Sequence, residues 1–366
     1  MNIAFFGSSL LSAYWNGAAT YYRGLVRSLA ELGHQITFYE PDAFGRQQNR
    51  DMDPPSWAKV VVYSGEQIGE VRNCLAEASR ADVIIKASGV GVFDEYLEAQ
   101  VPVIGFGKIT IFWDVDAPAT LDRLLGNQFD PFRRAIPTYT AVLTYGGGPR
   151  VVDTYGELGA RFCVPVFNAA DPTTHFRVEE HPAYRADLAF LGNRLPDRES
   201  RVEEFFLRPS ELRPQNTFLL GGSGWQDKPK PSNVQYIGHV PTGEHNAVNS
   251  SASVVLNINR LSMASYGFSP PTRIFEAAAA GACIVTDAWE GIDIFLQPER
   301  EILIVNDGLE VVKVLDTLDQ ERARQIGDAA HRRILNEHTY LHRGTQVHAL
   351  LEMLKTLQPD AIEVHS

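Results

Sequence analysis

The sequence alternates short apolar strand patterns with amphipathic helix patterns, and this alternation runs along the chain twice. The first half has helix patterns at 21–32, 67–79 and 149–158 among strand patterns at 2–7, 35–39, 59–63, 82–86, 101–106, 141–143 and 162–166. The alternation lapses at 168–185 and restarts with a strand pattern at 187–191. Strands that alternate with helices indicate parallel βαβ units, which bind ligands beyond the carboxyl ends of their strands. The sequence therefore predicts two doubly wound α/β domains.

Length and composition fit two domains. The chain has 366 residues, 44% of them hydrophobic and 21% charged, which is typical of globular domains that each bury a core. Its net charge of −12 argues against a nucleic-acid partner. Cys74, Cys163 and Cys283 lack paired spacing and are expected to be buried thiols in a reducing compartment. With neither a signal-peptide pattern nor a long apolar run, we expect a cytoplasmic protein without a transmembrane segment, and peripheral membrane contact stays open.

One stretch in the second half, residues 266–287, combines a helix start with a following strand. Ser269 is a good N-cap and Pro270 fits the first helical position, so the sequence predicts a helix beginning here. Gly281 ends the helix, and a short buried strand follows it. The first N–H groups of a helix are unpaired, and its dipole is positive at this end. The stretch therefore predicts a phosphate site.

Two charged residues near this helix start favour a nucleotide ligand. Arg273 adds a fixed positive charge in the first turn, and Glu276 lies one turn further along. A carboxylate in that place can accept two hydrogen bonds from a sugar diol. The alternative is an amphipathic helix packed on a sheet, with Glu276 in solvent.

The run from Arg273 to Ala282, followed by Val285, Thr286 and Asp287, resembles the donor-site helix of GT-B glycosyltransferases. The nearest resemblance is to the group of the spore-maturation protein CgeB, near glycosyltransferase family 4. It implies two Rossmann-like domains facing across a cleft, with a C-terminal helix that can cross back to the first. The implied division is an acceptor domain at 1–172, a donor domain at 186–340, and a returning helix and tail at 341–366, of which 358–366 is expected to be frayed.

That family usually has two glutamates eight positions apart, of which the second holds the ribose and the first reaches the sugar. Glu276 matches the second glutamate, whereas Phe268 occupies the place of the first. The resemblance therefore implies binding of the diphosphate and the ribose, and it does not extend to the sugar.

A basic residue after the first strand of the donor domain contacts the diphosphate in similar proteins. Arg198 matches this place best, and Arg194 is a nearby alternative. A helix-surface arginine paired with Glu199 or Glu203 is the other interpretation. His239 and Val240 follow a strand whose end borders the nucleobase in similar proteins, although the sequence favours a surface turn for His239. The predicted donor-site residues are Gly7, Asn16, Gly17, Arg194, Gly222, Ser223, His239, Val240, Phe268, Ser269, Pro270, Pro271, Thr272 and Glu276.

Trp113, Asp114 and Asp116 form an aromatic and acidic cluster in the first half of the chain. Trp113 and Asp114 are predicted to contact the acceptor, and Asp116 is predicted to be the base that deprotonates it. Helix capping is the alternative role for Asp116. Two carboxylates are too few for a metal site, so no metal is predicted.

These features predict a glycosyltransferase that moves a sugar from a UDP- or GDP-type nucleotide sugar to a glycan, lipid-linked or small-molecule acceptor. Arg198 and Arg273 would stabilise the leaving diphosphate. The resemblance implies retention of configuration, without a metal or cofactor. A nucleotide-sugar epimerase or hydrolase is one alternative, and an inactive nucleotide-sugar-binding module, favoured by Phe268, is another. The sequence does not specify the oligomeric state.

Overall fold

A computed structural model describes residues 1–357, which form two compact units. Unit 1 comprises Met1–Phe167 together with the chain from Tyr340 onward, and unit 2 comprises Asn168–Thr339. The tail predicted at 358–366 lies outside the described residues.

Unit 1 is built on a parallel seven-stranded sheet in the order β3-β2-β1-β4-β5-β6-β7. Its central strands are largely buried because helices cover both faces, whereas the edge strands at 59–64 and 163–165 are only partly buried. The strands are β1 (Asn2–Phe6), β2 (Gln35–Asp42), β3 (Lys59–Ser64), β4 (Val83–Ala87), β5 (Ile109–Asp114), β6 (Ala141–Thr144) and β7 (Cys163–Pro165). The helices between them are α1 (Ala19–Glu31), α2 (Ile68–Ala78), α3 (Asp94–Ile104), α4 (Ala117–Gly126), α5 (Phe132–Ala135) and α6 (Pro149–Glu157).

The strand predicted at 101–106 is wrong, because most of these residues end helix α3 and the next strand is β5. Apolar runs of this length fit a strand or a buried helix equally well. Leu97 and Val101, one turn apart on α3, are both fully buried, which is a helical pattern that the short window hid. Trp113 and Asp114 consequently belong to a central strand, β5.

Unit 2 is built on a parallel six-stranded sheet in the order β10-β9-β8-β11-β12-β13. The strand order reverses between β8 and β11, so the carboxyl ends of these two strands flank the position where doubly wound sheets bind ligands. The strands are β8 (Ala186–Leu191), β9 (Phe218–Gly221), β10 (Val234–Gly238), β11 (Ala252–Asn257), β12 (Ile284–Asp287) and β13 (Leu303–Val305). The helices are α7 (Glu199–Val202), α8 (Arg208–Leu212), α9 (His245–Ser251), α10 (Leu261–Tyr266), α11 (Thr272–Ala279), α12 (Gly308–Thr317) and α13 (Gln320–Glu337), with a π-helical turn Glu203–Leu207 joining α7 to α8.

Small residues let α11 pack closely within unit 2. Ala277, Ala278 and Ala279 are completely buried. A Cβ at Gly327 of α13 would overlap the carbonyl oxygen of Gly281, so glycine allows the close approach of these two segments. This packing holds the first turn of α11 in place beside the carboxyl end of β11.

The last helix, α14 (Tyr340–Leu357), packs against α1 of unit 1. A Cβ at Gly24 would overlap the ring of Tyr340, and a Cβ at Gly344 would overlap Ser28, so both glycines permit close contact between the two helices. The expected α/β fold with a C-terminal helix returning to the first unit is confirmed. None of the helices within residues 1–357 combines the length and apolar character needed to cross a bilayer.

Candidate functional site

Helix α11 begins later than the sequence predicts. Its N-cap is Pro271, and Ser269 donates its hydroxyl hydrogen to the carbonyl oxygen of Gly267, 3.0 Å away, instead of capping the helix. The cause is the pair of prolines: a residue that precedes proline is driven out of the helical region, and both Ser269 and Pro270 precede one. The helix therefore starts at Thr272, so Arg273 lies in its first turn.

The loop that enters this helix has a strained backbone. Gly267 and Phe268 both have left-handed conformations, with φ of +69° and +47°. The Phe268 N–H donates to the carbonyl oxygen of Glu290 at 2.6 Å, and a Cβ at Gly291 would overlap the Phe268 ring. A bulky residue in this conformation costs free energy and indicates a position constrained by its surroundings. The side chain of Glu290 lies beside Gly267, so a carboxylate is present near the place of the missing acid.

Two arginines of unit 2 carry charges that no carboxylate neutralises through an ion pair within residues 1–357. Arg273 lies with its guanidinium 5.2 Å from the centre of the Phe190 ring, and its Nη1 donates weakly to Asn257 Oδ1 at 3.5 Å. The Nε of Arg198 is buried, and it has no hydrogen-bond partner among residues 1–357. Arg198 follows β8 and Arg273 follows β11, the two strands at the reversal of strand order.

Both arginines sit where a positive charge is unfavourable. Burial and the neighbouring charge of Arg198 lower the pKa of Arg273 to about 9, against an upward pull from Glu276. Burial also lowers the pKa of Arg198, and Arg260 adds to the effect while Asp197 opposes it. Both remain protonated at neutral pH, so an anion between them would relieve the repulsion and the lost hydration. The pair has the chemistry of an oxyanion or phosphate site.

Arg194 has a different environment. It makes two hydrogen bonds to Glu199, of 2.7 and 2.8 Å, and contacts Asp227 at 3.1 Å. These carboxylates hold the Arg194 guanidinium and raise its pKa. Its placement matches the ion-paired alternative from the sequence, and Arg198 is the better candidate for contact with an anion.

Glu276 is not a solvated surface residue. Its side chain is 14% exposed, with Oε1 at 3.5 Å from His175 Nε2 and Oε2 at 3.9 Å from His245 Nδ1. The other nitrogen of His245, Nε2, lies 3.2 Å from the carbonyl oxygen of Val240. Burial lowers the pKa of His245, and Glu276 acts in the opposite direction. The alternative of a solvated Glu276 is therefore wrong.

The glycine-rich loop after β9 also lies close to the loop after β8. Gly222 has a φ of +127°, and a Cβ there would overlap the carbonyl oxygen of Gly192. The Ser223 N–H donates to Asn193 Oδ1 at 2.9 Å. These contacts hold the loop after β9 against the loop after β8, which leads to Arg198. His239, after strand β10, is exposed, whereas Val240 is only 7% exposed. Their predicted role beside a nucleobase stays a prediction.

Three predicted donor residues lie in unit 1, in the loop that joins β1 to α1. Gly7 is packed so tightly that a Cβ would overlap the Phe38 ring. The side chain of Asn16 is 7% exposed, accepts from the Ser8 hydroxyl at 2.9 Å and donates to the carbonyl oxygens of Ser9 and Ser12. A Cβ at Gly17 would meet open space. The Asn16 side chain is thus fully used in holding its own loop.

The predicted acceptor residues Trp113 and Asp114 are completely buried. Trp113 donates to the Tyr21 hydroxyl at 3.0 Å, and Asp114 accepts from the Tyr155 hydroxyl at 2.5 Å. Both positions argue for a structural role and against contact with an acceptor. Asp116 is exposed at the N-cap position of α4, although its side chain makes no capping hydrogen bond.

Sequence patterns missed three residues around α11: His175, His245 and Glu290. His175 lies in the segment 168–185, where the alternation of strands and helices lapses, so no periodic pattern marked it. His245 and Glu290 are isolated polar residues near the starts of short elements, where no local signal separates site residues from surface residues.

A family model described as glycosyl transferase-like matches residues 198–349. That segment contains Arg198, Arg273 and Glu276. No curated protein sequence matches the chain significantly.

Solved structures resemble the chain along nearly its whole length. A sucrose-phosphate synthase from Thermosynechococcus elongatus aligns over 97% of this chain and 99% of its own, with 14% identity and a TM-score of 0.70. The Anabaena protein HepE, in complex with UDP and glucose, aligns over 96% and 100%, with 12% identity and a TM-score of 0.65. An alpha-glucosyltransferase in complex with UDP aligns over 96% and 99%, with 12% identity and a TM-score of 0.67.

The chain has the GT-B fold. At these identities the likeness shows the fold, and the glycosyl transferase-like domain supplies the class. The expected class of enzyme, a glycosyltransferase, is therefore confirmed. In this GT-B chain the matched domain begins at Arg198 and includes the whole of α11.

Proposed function

We propose that this GT-B chain transfers a sugar from a nucleoside diphosphate sugar to an acceptor, with Arg198 and Arg273 holding the diphosphate. The observation that carries the proposal is the placement of two charged arginines, without carboxylate partners in the described part of the chain, where the strand order of unit 2 reverses. Breaking a glycosidic bond to a diphosphate adds negative charge to the leaving group. Preorganised positive groups aimed at that charge supply a large share of catalysis.

The rest of the donor follows from the same helix. The N–H groups at the start of α11 lie at the positive end of its dipole, where a phosphate binds favourably. Glu276, one turn further along, accepts hydrogen bonds from the ribose diol. The two solved complexes with UDP support UDP over GDP as the nucleotide. The donor is assigned to the predicted domain at 186–340, most of which lies in unit 2, and the acceptor is assigned to the domain at 1–172.

The sugar end of the donor is assigned to the segment of Phe268. The side chain of Glu290 lies beside Gly267, the residue before the place of the absent glutamate, and we assign it to the sugar hydroxyl groups. Retention of configuration and resemblance to the CgeB group remain part of the proposal, as does a diphosphate held by arginines instead of a metal ion. Asp116, exposed in unit 1, stays the proposed acceptor-side base.

Phe268 favours a second candidate, a nucleotide-sugar-binding module without transferase activity. Its bulky side chain, in a left-handed conformation, replaces the acid that reaches the sugar in similar proteins. Tight nucleotide binding with no product across a panel of glycan, lipid-linked and small-molecule acceptors would favour that candidate. Release of free sugar or of an epimer without an acceptor would instead indicate a hydrolase or epimerase.

The testing experiment is a thermal-shift screen of the purified protein with UDP, GDP and their sugars, beside Arg273→Ala. A ligand that binds only the folded state raises stability by about 2.7 kcal/mol at a hundredfold excess over Kd. We expect UDP and UDP-sugars to raise the melting temperature of the parent and to leave that of Arg273→Ala nearly unchanged. Equal shifts in both proteins would remove Arg273 from the site. No shift in the parent with any nucleotide would remove the donor proposal.

A further inference from the structure

Three side chains from separate segments of unit 2 converge on one point beside α11. His175 Nε2 lies 3.5 Å from Glu276 Oε1, and His245 Nδ1 lies 3.9 Å from Glu276 Oε2. One ligand atom from each of the three lies within 4.8 Å of the others. Two imidazoles and a carboxylate are a ligand set that binds Zn²⁺ in many proteins.

His175 is the clearest sign that this point takes a ligand. It is 1% exposed, and neither of its ring nitrogens has a hydrogen-bond partner among residues 1–357. A buried polar group without a partner costs free energy, and native proteins rarely keep one without a reason. Because Nε2 faces the carboxylate of Glu276, an occupant between them would satisfy both groups.

His245 is oriented so that its second nitrogen is available to an ion. The Val240 carbonyl oxygen, 3.2 Å from Nε2, can only accept, so Nε2 carries the hydrogen. In the neutral imidazole Nδ1 then has a lone pair, and it lies 3.9 Å from Glu276 Oε2, which is also an acceptor. Two acceptors facing each other repel unless a cation or a double donor lies between them. A backbone carbonyl behind the ring is the usual partner of a metal-binding histidine.

Asn246 holds the two histidine segments together. Its Nδ2 donates to the carbonyl oxygen of Thr174 at 2.8 Å, and its Oδ1 accepts from the Phe176 N–H at 3.3 Å. Thr174 and Phe176 flank His175, and Asn246 directly follows His245. The backbones that carry both imidazoles are therefore positioned before any ligand arrives, which favours binding.

We propose that His175, His245 and Glu276 bind a zinc ion, with a water or ligand oxygen as the fourth donor. Tetrahedral zinc with bonds of about 2.1 Å places its ligand atoms about 3.4 Å apart. The separations of 3.5 Å from His175 to Oε1 and 3.9 Å from His245 to Oε2 are close to that spacing but involve different oxygens of Glu276. Rotation of the carboxylate, whose ligand atom lies within 4.8 Å of both imidazole nitrogens, would bring one oxygen to the ion. One carboxylate oxygen is enough for the ion, so the other remains for a ribose diol. The site shares Glu276 with the proposed function and does not depend on the transfer reaction.

The test is a zinc titration of chelator-stripped protein in competition with a chromophoric chelator. We expect the parent to bind one equivalent of zinc, and His175→Ala and His245→Ala to bind it at least tenfold more weakly. Asn246→Ala keeps all three ligands and loosens their support, so it should bind zinc about 10- to 100-fold more weakly. The control is His181→Ala, which removes an exposed histidine of the same unit and should match the parent.

Cobalt(II) in place of zinc gives an independent readout, because a four-coordinate ion absorbs visible light strongly. We expect this absorption in the parent and in His181→Ala, and its loss in His175→Ala and His245→Ala, with circular dichroism showing that the variants are folded. Equal zinc affinity in the parent and His175→Ala, or no tight zinc binding by the parent, would overturn the proposal.

UDP titrations with and without chelator separate this proposal from the proposed function. UDP binding by a parent that binds no zinc overturns the zinc site and leaves the donor site standing. Zinc binding without nucleotide binding supports the zinc site and removes the donor proposal. If His245→Ala weakens UDP binding while zinc affinity is unchanged, the two acceptors face a ribose diol and the zinc proposal is wrong.

Discussion

The guanidinium of Arg273 lies 5.2 Å from the centre of the ring of Phe190, a residue of the interior strand β8. A cation–π contact of this kind holds an arginine in place without neutralising it. Arg273 therefore keeps a full charge for an incoming anion, whereas a carboxylate partner would compete with that anion. The same reasoning distinguishes Arg194, which is paired with Glu199 and Asp227, from Arg198, whose Nε has no partner among residues 1–357.

Arg198→Ala should weaken UDP binding much more than Arg194→Ala. Hydrogen bonds to charged groups are worth about 1.5–3 kcal/mol, which is one to two decades of affinity. Arg194 is already held by Glu199 and Asp227, so its loss should change the Kd for UDP by less than about threefold. Isothermal titration calorimetry of both variants measures this difference. A larger loss in Arg194→Ala would exchange the roles of the two arginines.

Glu276→Ala should weaken UDP binding by one to two orders of magnitude, for the same energetic reason. It should also remove the preference for a ribose with both hydroxyl groups. We expect the parent to bind UDP about tenfold more tightly than 2′-deoxy-UDP, at about 1.4 kcal/mol per decade. In the variant the two ligands should bind equally, because the group that distinguishes them is gone. The four affinities form a double-mutant cycle that measures the coupling between Glu276 and the 2′-hydroxyl group. A preference that survives in the folded variant would separate Glu276 from the ribose.

Asp114→Ala should destabilise unit 1. Asp114 accepts hydrogen bonds from Ser88, Thr120 and Tyr155 and from the Asp116 N–H, all around a fully buried carboxylate. Removing the acceptor leaves these donors unsatisfied, at a cost of about 3 kcal/mol or more. Urea denaturation followed by tryptophan fluorescence measures the change in the free energy of unfolding.

Tyr155→Phe removes one of these hydrogen bonds and is the matched, milder variant. We expect it to cost about 1 kcal/mol. If Asp114→Ala were as stable as the parent and lost only activity, the acceptor role predicted from the sequence would replace the structural one.

His34 should make the stability of unit 1 depend on pH. Burial is the main cause that lowers the pKa of His34, and His348, with Nδ1 2.9 Å from His34 Nε2, adds to it. The folded state then binds fewer protons than the unfolded state between the lowered pKa and about 6.5, so the free energy of unfolding rises with pH through that window. NMR titration should show His34 losing its proton below the ordinary histidine pKa of about 6.5. A His34 that titrates at or above that ordinary value would contradict this.

Much of the fold could be predicted because its signals are local. Strand β8 and helix α6, for example, were predicted at 187–191 and 149–158, within one residue of their observed bounds, by apolar periodicity and by the residues that bound each element. The errors came where two interpretations share one pattern, as at Val101, or where neighbouring residues overrule a good cap, as the two prolines do for Ser269.

Local residue patterns were enough to predict that the chain forms two doubly wound units and that one helix carries both Arg273 and Glu276, because helical spacing places them one turn apart. The folded chain was needed to see that Arg194 is ion-paired, that Trp113 and Asp114 are buried, and that His175 and His245 meet at Glu276. These facts depend on how distant segments pack against one another. A pattern of neighbouring residues contains no information about that packing.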